Sequence, residues 1–429
     1  MVIQTKWVLV AALLLSSGVF AQSSEDSANI GDDRLHGQVE SINENLAVVN
    51  SDLSILKWLK VSGYLQARYE LNDTSQNGVL NGDYSKNRNA NNFYIRRGRL
   101  KFTFQPLTSS RYVFYIDASK QSISLKEAYV ELNKRFGEHG FALTAGQFNI
   151  PFGYEIEYSS SKRDFPERSL AENKLFKGER DRGLNFTYVM PRYLQFNIAL
   201  LQGWGIEGSE GKSPTWYDPT IAKDFVARAK AKLGMVDLGI SGYWGKNYLA
   251  GSPSVAARAG VTTWFDANGN SIIDAGETTT TAPVAAKSAV AGFEKDKTRY
   301  GADAQVYLDI LPFGGTAFRG ELFIAEDYNN SAADSLASKI GWYLWLSQSL
   351  STKFGAAVRY DYWDPNTDAT AANDAIGTLS LAGHYYFDSY VRITAAYDIP
   401  SLLEGRSTFR KHPADITDNR FTLQFQFAI

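Results

Sequence analysis

Two rows of cations define the chemistry this sequence can perform. Arg97, Arg99 and Lys101 stand at every second position, and Arg228, Lys230 and Lys232 repeat the arrangement far along the chain. On an extended strand a period of two places each row on one face, its charges roughly 6.6–6.8 Å apart. Rows of this kind hold anions weakly at several points, as conduction requires, and they activate no nucleophile. Catalytic constellations are missing from the sequence. His36, His139, His384 and His412 are far apart, and cysteine is absent. No His-Glu-x-x-His, phosphate-cradling Gly-Lys loop or Gly-x-Ser-x-Gly elbow occurs. The chain is not read as an enzyme.

A second constellation offers oxygen ligands. Asp266, Asn268, Asn270, Asp274 and Glu277 fall at positions 1, 3, 5, 9 and 12 of a twelve-residue stretch. That is the spacing of a calcium loop, in which Glu277 would be the bidentate carboxylate. Ser271 stands where the standard loop has glycine, and no flanking helices are evident. The competing reading is a polar loop rich in turn residues. Ca²⁺ is the one cofactor the sequence suggests.

Composition narrows the partners. The 429 residues carry 44 Lys and Arg against 46 Asp and Glu, a net charge of −2. There is no basic excess for nucleic acid. At 44% hydrophobic and 14% aromatic, the chain is not disordered. Without cysteine there are neither disulfides nor thiolate metal sites.

These cations need a scaffold, and the chain is organised in three parts. Residues 1–21 read as a signal peptide. Lys6 precedes the apolar run from Trp7 to Leu15, and Val19 and Ala21 suit a cleavage site before Gln22. The run is too short to span a bilayer, for which a helix needs about 20 residues. Residues 22–57 form a polar segment leading into a short helix. Val39, Ile42, Leu46, Val49, Leu53 and Leu56 follow heptad spacing, which predicts a coiled coil and hence an oligomer; a single amphipathic helix on its own domain is the alternative.

From residue 58 to 429 the period becomes two. Leu100, Phe102 and Phe104 alternate with Arg99, Lys101 and Thr103, and Phe421, Leu423, Phe425 and Phe427 alternate with Thr422, Gln424 and Gln426. Sixteen such strands are expected, starting near residues 58, 93, 110, 123, 140, 183, 193, 222, 235, 298, 316, 338, 351, 373, 390 and 419. Short turns alternate with long loops at 150–182, 203–221, 247–297 and 400–418. A soluble two-sheet protein would show similar alternation, but its polar face would not carry so many full charges. The pattern fits an all-β transmembrane antiparallel barrel of the outer membrane, lipid outside and water inside. It must close, because lipid leaves a free sheet edge unsatisfied. At sixteen strands the interior is wide enough for a channel.

Several motifs in order are familiar. Arg96-Arg97-Gly98-Arg99-Leu100, Leu125-Lys126-Glu127-Ala128-Tyr129-Val130-Glu131 and Gly146-Gln147-Phe148-Asn149-Ile150-Pro151-Phe152-Gly153 are followed by Glu167-Arg168-Ser169-Leu170. The series resembles the phosphate-selective porin O and P family of Gram-negative outer membranes. The resemblance implies a homotrimer of sixteen-stranded channels for small anions, phosphate or polyphosphate among them. It implies that the loop at about 150–182 folds inward as a constriction, with Glu167, Arg168, Arg180 and Arg182 at the eyelet. The family's arginine pair falls on Arg96 and Arg97, and its basic row on Arg228, Lys230 and Lys232. The chain departs from the family in having Asn149-Ile150 where Lys-Glu is common, and in ending on Ile429.

Assigning alternate residues to the interior leaves the channel richer in basic than in acidic side chains, although the chain as a whole is slightly negative. Such an interior favours anions. The opposing view is that these cations only neutralise lumen carboxylates such as Glu127 and Glu131. A general porin for small nutrients, an outer-membrane hydrolase and a structural barrel remain the alternatives.

Overall fold

The computed structural model describes residues 38–46, 48–49, 57–72, 91–119, 122–176, 178–203, 205–206, 222–249, 254–267, 269–276, 278–289, 293–311, 314–328, 336–367, 375–402 and 419–429. The chain forms two units, Met1–Lys57 and Trp58–Ile429. In the first, residues 38–46 and 48–49 are helical, and Val39, Ile42 and Leu46 of the heptad seam are exposed. The expected signal peptide and the later heptad positions Leu53 and Leu56 lie outside the described residues.

The second unit is built from strands. They are β1 (Leu59–Asn72), β2 (Asn91–Leu107), β3 (Ser110–Ser119), β4 (Ser122–Phe136), β5 (His139–Asn149) and β6 (Arg180–Val189). Then come β7 (Leu194–Leu201), β8 (Asp224–Leu233), β9 (Val236–Leu249), and the short β10 (Thr262–Trp264) and β11 (Thr278–Thr280). The last are β12 (Phe293–Leu311), β13 (Gly314–Tyr328), β14 (Leu336–Ser349), β15 (Phe354–Asp364), β16 (Ile376–Tyr386), β17 (Val391–Leu402) and β18 (Arg420–Ala428). All but β10 and β11 join one closed antiparallel barrel in which β1 completes the ring against β18, from Tyr64↔Ala428 to Asn72↔Arg420. Sixteen strands therefore close, as the alternation predicts. The hairpin β10–β11 falls inside a stretch that reads as plain loop in the sequence.

The dyad pattern sorts the side chains. Leu65, Leu344 and Ile240 face outward and are exposed, whereas Gln66, Arg68 and Gln424 face inward and are buried. Aromatic pairs ring both ends. Trp58–Phe104, Phe141–Tyr188 and Phe354–Tyr385 lie near the short turns, and Tyr69–Phe93, Trp244–Tyr300 and Trp342–Tyr362 near the long loops. Such girdles mark the two interfaces of a bilayer.

The apolar core lies inside the barrel, under the loop between β5 and β6. Phe152, Ile156, Phe165, Leu170, Leu175 and Phe176 of this loop pack on Tyr243, Phe323, Tyr343, Trp345 and Trp363 of the wall. Each fully buried side chain of this size contributes about 1.5–3 kcal/mol. Two wall glycines make room. A Cβ at Gly301 would lie 2.8 Å from the Phe152 ring, and one at Gly341 would overlap Ala171.

Candidate functional site

The site begins with a bulge. Gln66 pairs with Arg97 and Ala67 with Ile95, so Arg96 is the extra residue in β2. An extra residue shifts the pleat by one and lets two consecutive side chains face the same way. Arg96 and Arg97 thus both turn inward, which strict alternation does not allow. Together with Arg68 they converge on Glu167 of the loop. Arg68 Nη1 and Arg96 Nε each lie 2.6 Å from Glu167 Oε1, and Arg97 Nη2 lies 3.3 Å from Oε2. Burial alone would raise the Glu167 carboxyl, but the three guanidiniums hold it well below the usual range.

The rest of the loop is fastened by its backbone. Two short helices, Tyr154–Glu157 and Leu170–Leu175, aim their first N–H groups at wall carboxylates. Tyr154 N and Glu155 N donate to Glu321 at 3.0 and 3.1 Å, and Leu170 N donates to Asp361 at 3.3 Å. Carboxylates suit helix starts, where N–H groups are unpaired and the local potential is positive. Gly153 takes φ 59° just before the first helix, and its N–H donates to Ser241 Oγ at 3.1 Å. Arg359 donates to Glu167 O at 3.1 Å and Arg392 to Arg163 O at 2.9 Å. Ser160 bonds Tyr64, whose hydroxyl also accepts from Arg99 at 3.0 Å. The loop therefore leans on β1, β2, β8, β9 and β12–β18.

Arg168 forms ion pairs with Glu179 and, at 3.3 Å, with Glu172. Glu172 is fully buried, and neither of its carboxylate oxygens accepts a hydrogen bond. Burial pushes this carboxyl up to about 7 against the pull of Arg168, and Glu155 adds to the rise.

The basic rows face the interior, but most of their charges are spoken for. Arg99 pairs with Asp117 at 2.8 Å and Lys101 with Glu127 at 3.0 Å. Arg228 pairs with Asp303 at 3.1 Å, both buried, and Lys230 reaches Glu157 of the loop at 2.7 Å. Lys232, opposite Asp237, is exposed near the short-turn end. The geometry thus realises the opposing view for the buried members of both rows.

Two residues assigned to the constriction loop belong to a strand instead. The β5–β6 ladder runs to Gln147↔Arg182 and Asn149↔Arg180, so the loop ends at residue 179 rather than 182. Arg182 shares the face of the outward Leu184 and Phe186, and its Nε donates to Gln147 at 3.2 Å. Pairing of β4 with β5 stops at Ala128↔Gln147. Arg180 sits where those strands have parted, 3.1 Å from Glu127. Glu167 and Arg168 are in the loop, as expected.

The calcium-like segment caps the β10–β11 hairpin. Asp266 accepts from Gly269 N at 2.6 Å and Ser271 N at 2.8 Å, and Asn270 donates to Asp274 at 2.8 Å. Ser271 takes φ 60°, the conformation that glycine supplies in standard loops. Asn268 and Glu277 lie outside the described residues, so the ligand set is not seen whole. Among the described residues no group of three or more acidic or histidine side chains is placed to hold a metal ion.

Lys297, Asp224 and Asp327 sit at strand ends beside long loops and are not among the inward charges that alternation assigns. Lys297 pairs with Asp224 at 2.7 Å, and Arg299 with Asp327 at 2.8 Å. One sequence signal for the docking wall does exist. Trp342-Tyr343-Leu344-Trp345-Leu346 is apolar on both faces, which in a barrel means that something packs inside.

What remains available to solutes lies on β2, β3 and β8. The side chains of Lys101, Arg111 and Lys230 are 33%, 37% and 22% exposed. The arrangement is an inward loop between charged walls, and among the described residues it contains no catalytic constellation.

Solved structures share this architecture. The outer-membrane protein OmpT of Vibrio cholerae is 11% identical with a TM-score of 0.53, covering 86% of this chain and 97% of that one. The outer-membrane channel DcaP of Acinetobacter baumannii is 10% identical at 0.51, with 86% and 97% covered. An anion-selective porin from Comamonas acidovorans is 9% identical at 0.51, with 86% and 99% covered. At such identities the likeness concerns the fold. No curated protein matches the chain. The family model for phosphate-selective porin O and P matches residues 68–429, nearly the whole barrel. With the inward loop and the arginine pair in place, the chain belongs to the phosphate-selective porin O and P family and is an outer-membrane channel, not an enzyme.

Proposed function

We propose that this porin passes small anions, phosphate among them, by passive diffusion through a water-filled channel beside the loop. The observation that carries this reading is an asymmetry within ion pairs. Lys101 is 33% exposed while Glu127 is 6%, and Arg111 is 37% exposed while Glu131 is 16%. A passing solute meets the cation, while the carboxylate behind it is shielded. Low-dielectric walls concentrate that field on the passage. The family's name points the same way. The working protein is a homotrimer, exported by the N-terminal signal peptide, with its short turns on the periplasmic side as in other barrels of this kind. Reversal potentials in a salt gradient across a planar bilayer test the reading. Anion preference that fades in concentrated salt is expected, and a cation-selective or unselective channel would overturn it.

A further inference from the structure

Above the loop, toward the long-loop end, the interior holds an alcove of about 380 Å³ that the anion path does not use. Its floor is the loop from Glu167 to Lys174, and its walls come from β1, β2 and β15–β18. The floor is sealed below by Arg68 on Glu167 and Pro166 O at 2.6 Å, and by Arg359 and Arg392 on loop carbonyls. A solute held there would lie against the loop.

Two observations define what would be held. First, most charges of the alcove are already matched. Arg96 pairs with Glu167 at 2.6 Å, Arg359 with Asp361 at 3.2 Å, and Arg420 with Asp398 at 2.8 Å. Paired charges project little net field, so neither a simple anion nor a simple cation gains much. They still offer donors and acceptors side by side. Second, Thr378 lines the alcove, is only 2% exposed, and its hydroxyl has no hydrogen-bond partner in the protein. Its register neighbours are Asp361 and Pro400. A buried hydroxyl without a partner is destabilising, and valine would pack equally well on this strand.

We propose that the alcove binds a neutral, polyhydroxylated solute of monosaccharide size. Each hydroxyl of a sugar both donates and accepts, which matches carboxylate–guanidinium pairs. Glu70, hydrogen-bonded to Tyr94 at 2.6 Å, adds an acceptor, and Leu170 adds an apolar face. The volume is within the range of small-ligand sites.

Ligand-observed NMR on the full-length porin in detergent micelles tests this, with glucose, glucose 6-phosphate and glycine betaine as probes. Glucose is expected to bind, glucose 6-phosphate no more tightly, and betaine not at all. Glucose binding should be the same in dilute and concentrated salt. Thr378→Val should weaken it at least threefold, and Thr378→Ser should restore it. Because serine keeps the hydroxyl, a loss in both variants together with a lowered melting temperature would be misfolding, and Glu70→Gln then serves as the second probe with the same expected loss. No glucose signal, tighter and salt-sensitive binding of the phosphate ester, or unchanged binding in Thr378→Val or Glu70→Gln would overturn the proposal. Anion permeability in the same variants should match the parent, which separates this site from the anion path.

Discussion

The Arg68 guanidinium on β1 lies 2.6 Å from the Glu167 carboxylate of the constriction loop, ninety-nine positions along the chain. This contact and its neighbours Arg96 and Arg97 fix one side of the loop, while the apolar cluster fixes the other. Removing the carboxylate leaves three inward guanidiniums without their shared anion. Glu167→Gln should cost about 3–5 kcal/mol, the usual loss when one side of a buried ion pair is removed. Urea titration of the folded porin measures it. Single-channel traces should become noisier as the loop loosens.

Selectivity should follow exposure rather than the number of cations. Replacing Lys101, Arg111 and Lys230 together by Gln should lower the anion-to-cation permeability ratio several-fold in dilute salt and little near 1 M, where the Debye length is about 3 Å. Arg228→Gln should instead act on stability, since it strands the buried Asp303. Reversal potentials and melting temperatures of the two variants distinguish these effects.

Glu172 makes the loop sensitive to pH. Its carboxyl titrates at about 7 in the folded protein and at an ordinary 4.5 when unfolded. Between those values the native state holds a proton that the unfolded state has lost, so stability falls as pH rises through this window and levels off above 7. Glu172→Gln removes the titration. The variant should gain on the parent by on the order of 1–3 kcal/mol between pH 5 and pH 8, with most of the gain in place by pH 7. Unfolding midpoints at those three values test it. A difference that does not change with pH would count against it.

The N-terminal helix should contribute to assembly. Ile42 and Leu46 are 57% and 51% exposed on the heptad seam. Replacing both by Asp should lower the temperature at which the oligomer dissociates in mild detergent, while the barrel itself melts as before. An unchanged dissociation temperature would separate the helix from assembly.

Most of the barrel is legible in the sequence because lipid and water impose one rule on every strand. Leu100, Phe102 and Phe104 against Arg99, Lys101 and Thr103 state that rule plainly. The site is less legible, because it depends on departures from the rule. The bulge at Arg96 has no sequence mark beyond two adjacent arginines, and it decides that both face the loop. Arg182 falls in the loop by the family resemblance, yet the ladder carries it to the outer face. Glu321 and Asp361 count as lumen charges in a linear reading, but loop N–H groups and wall cations engage them. Which cation a solute meets depends on pairing in three dimensions, and the spacing of residues along one strand does not record it.

The loop's docking wall also constrains the order of events as the barrel forms. Tyr154 bonds Glu321 across 167 positions, Leu170 bonds Asp361 across 191, and Arg392 reaches Arg163 across 229. Every one of these partners is made after the loop itself. Contacts this distant in sequence are slow to find, because the intervening chain must be brought together first. Until β13–β17 arrive, Phe152 lacks its cover from Phe323 and Phe165 its cover from Trp345. A chain stalled before the last strands would therefore show these aromatics to any chaperone or protease that recognises exposed apolar segments. A completed ring hides them, so the seated loop reports that the barrel has been finished.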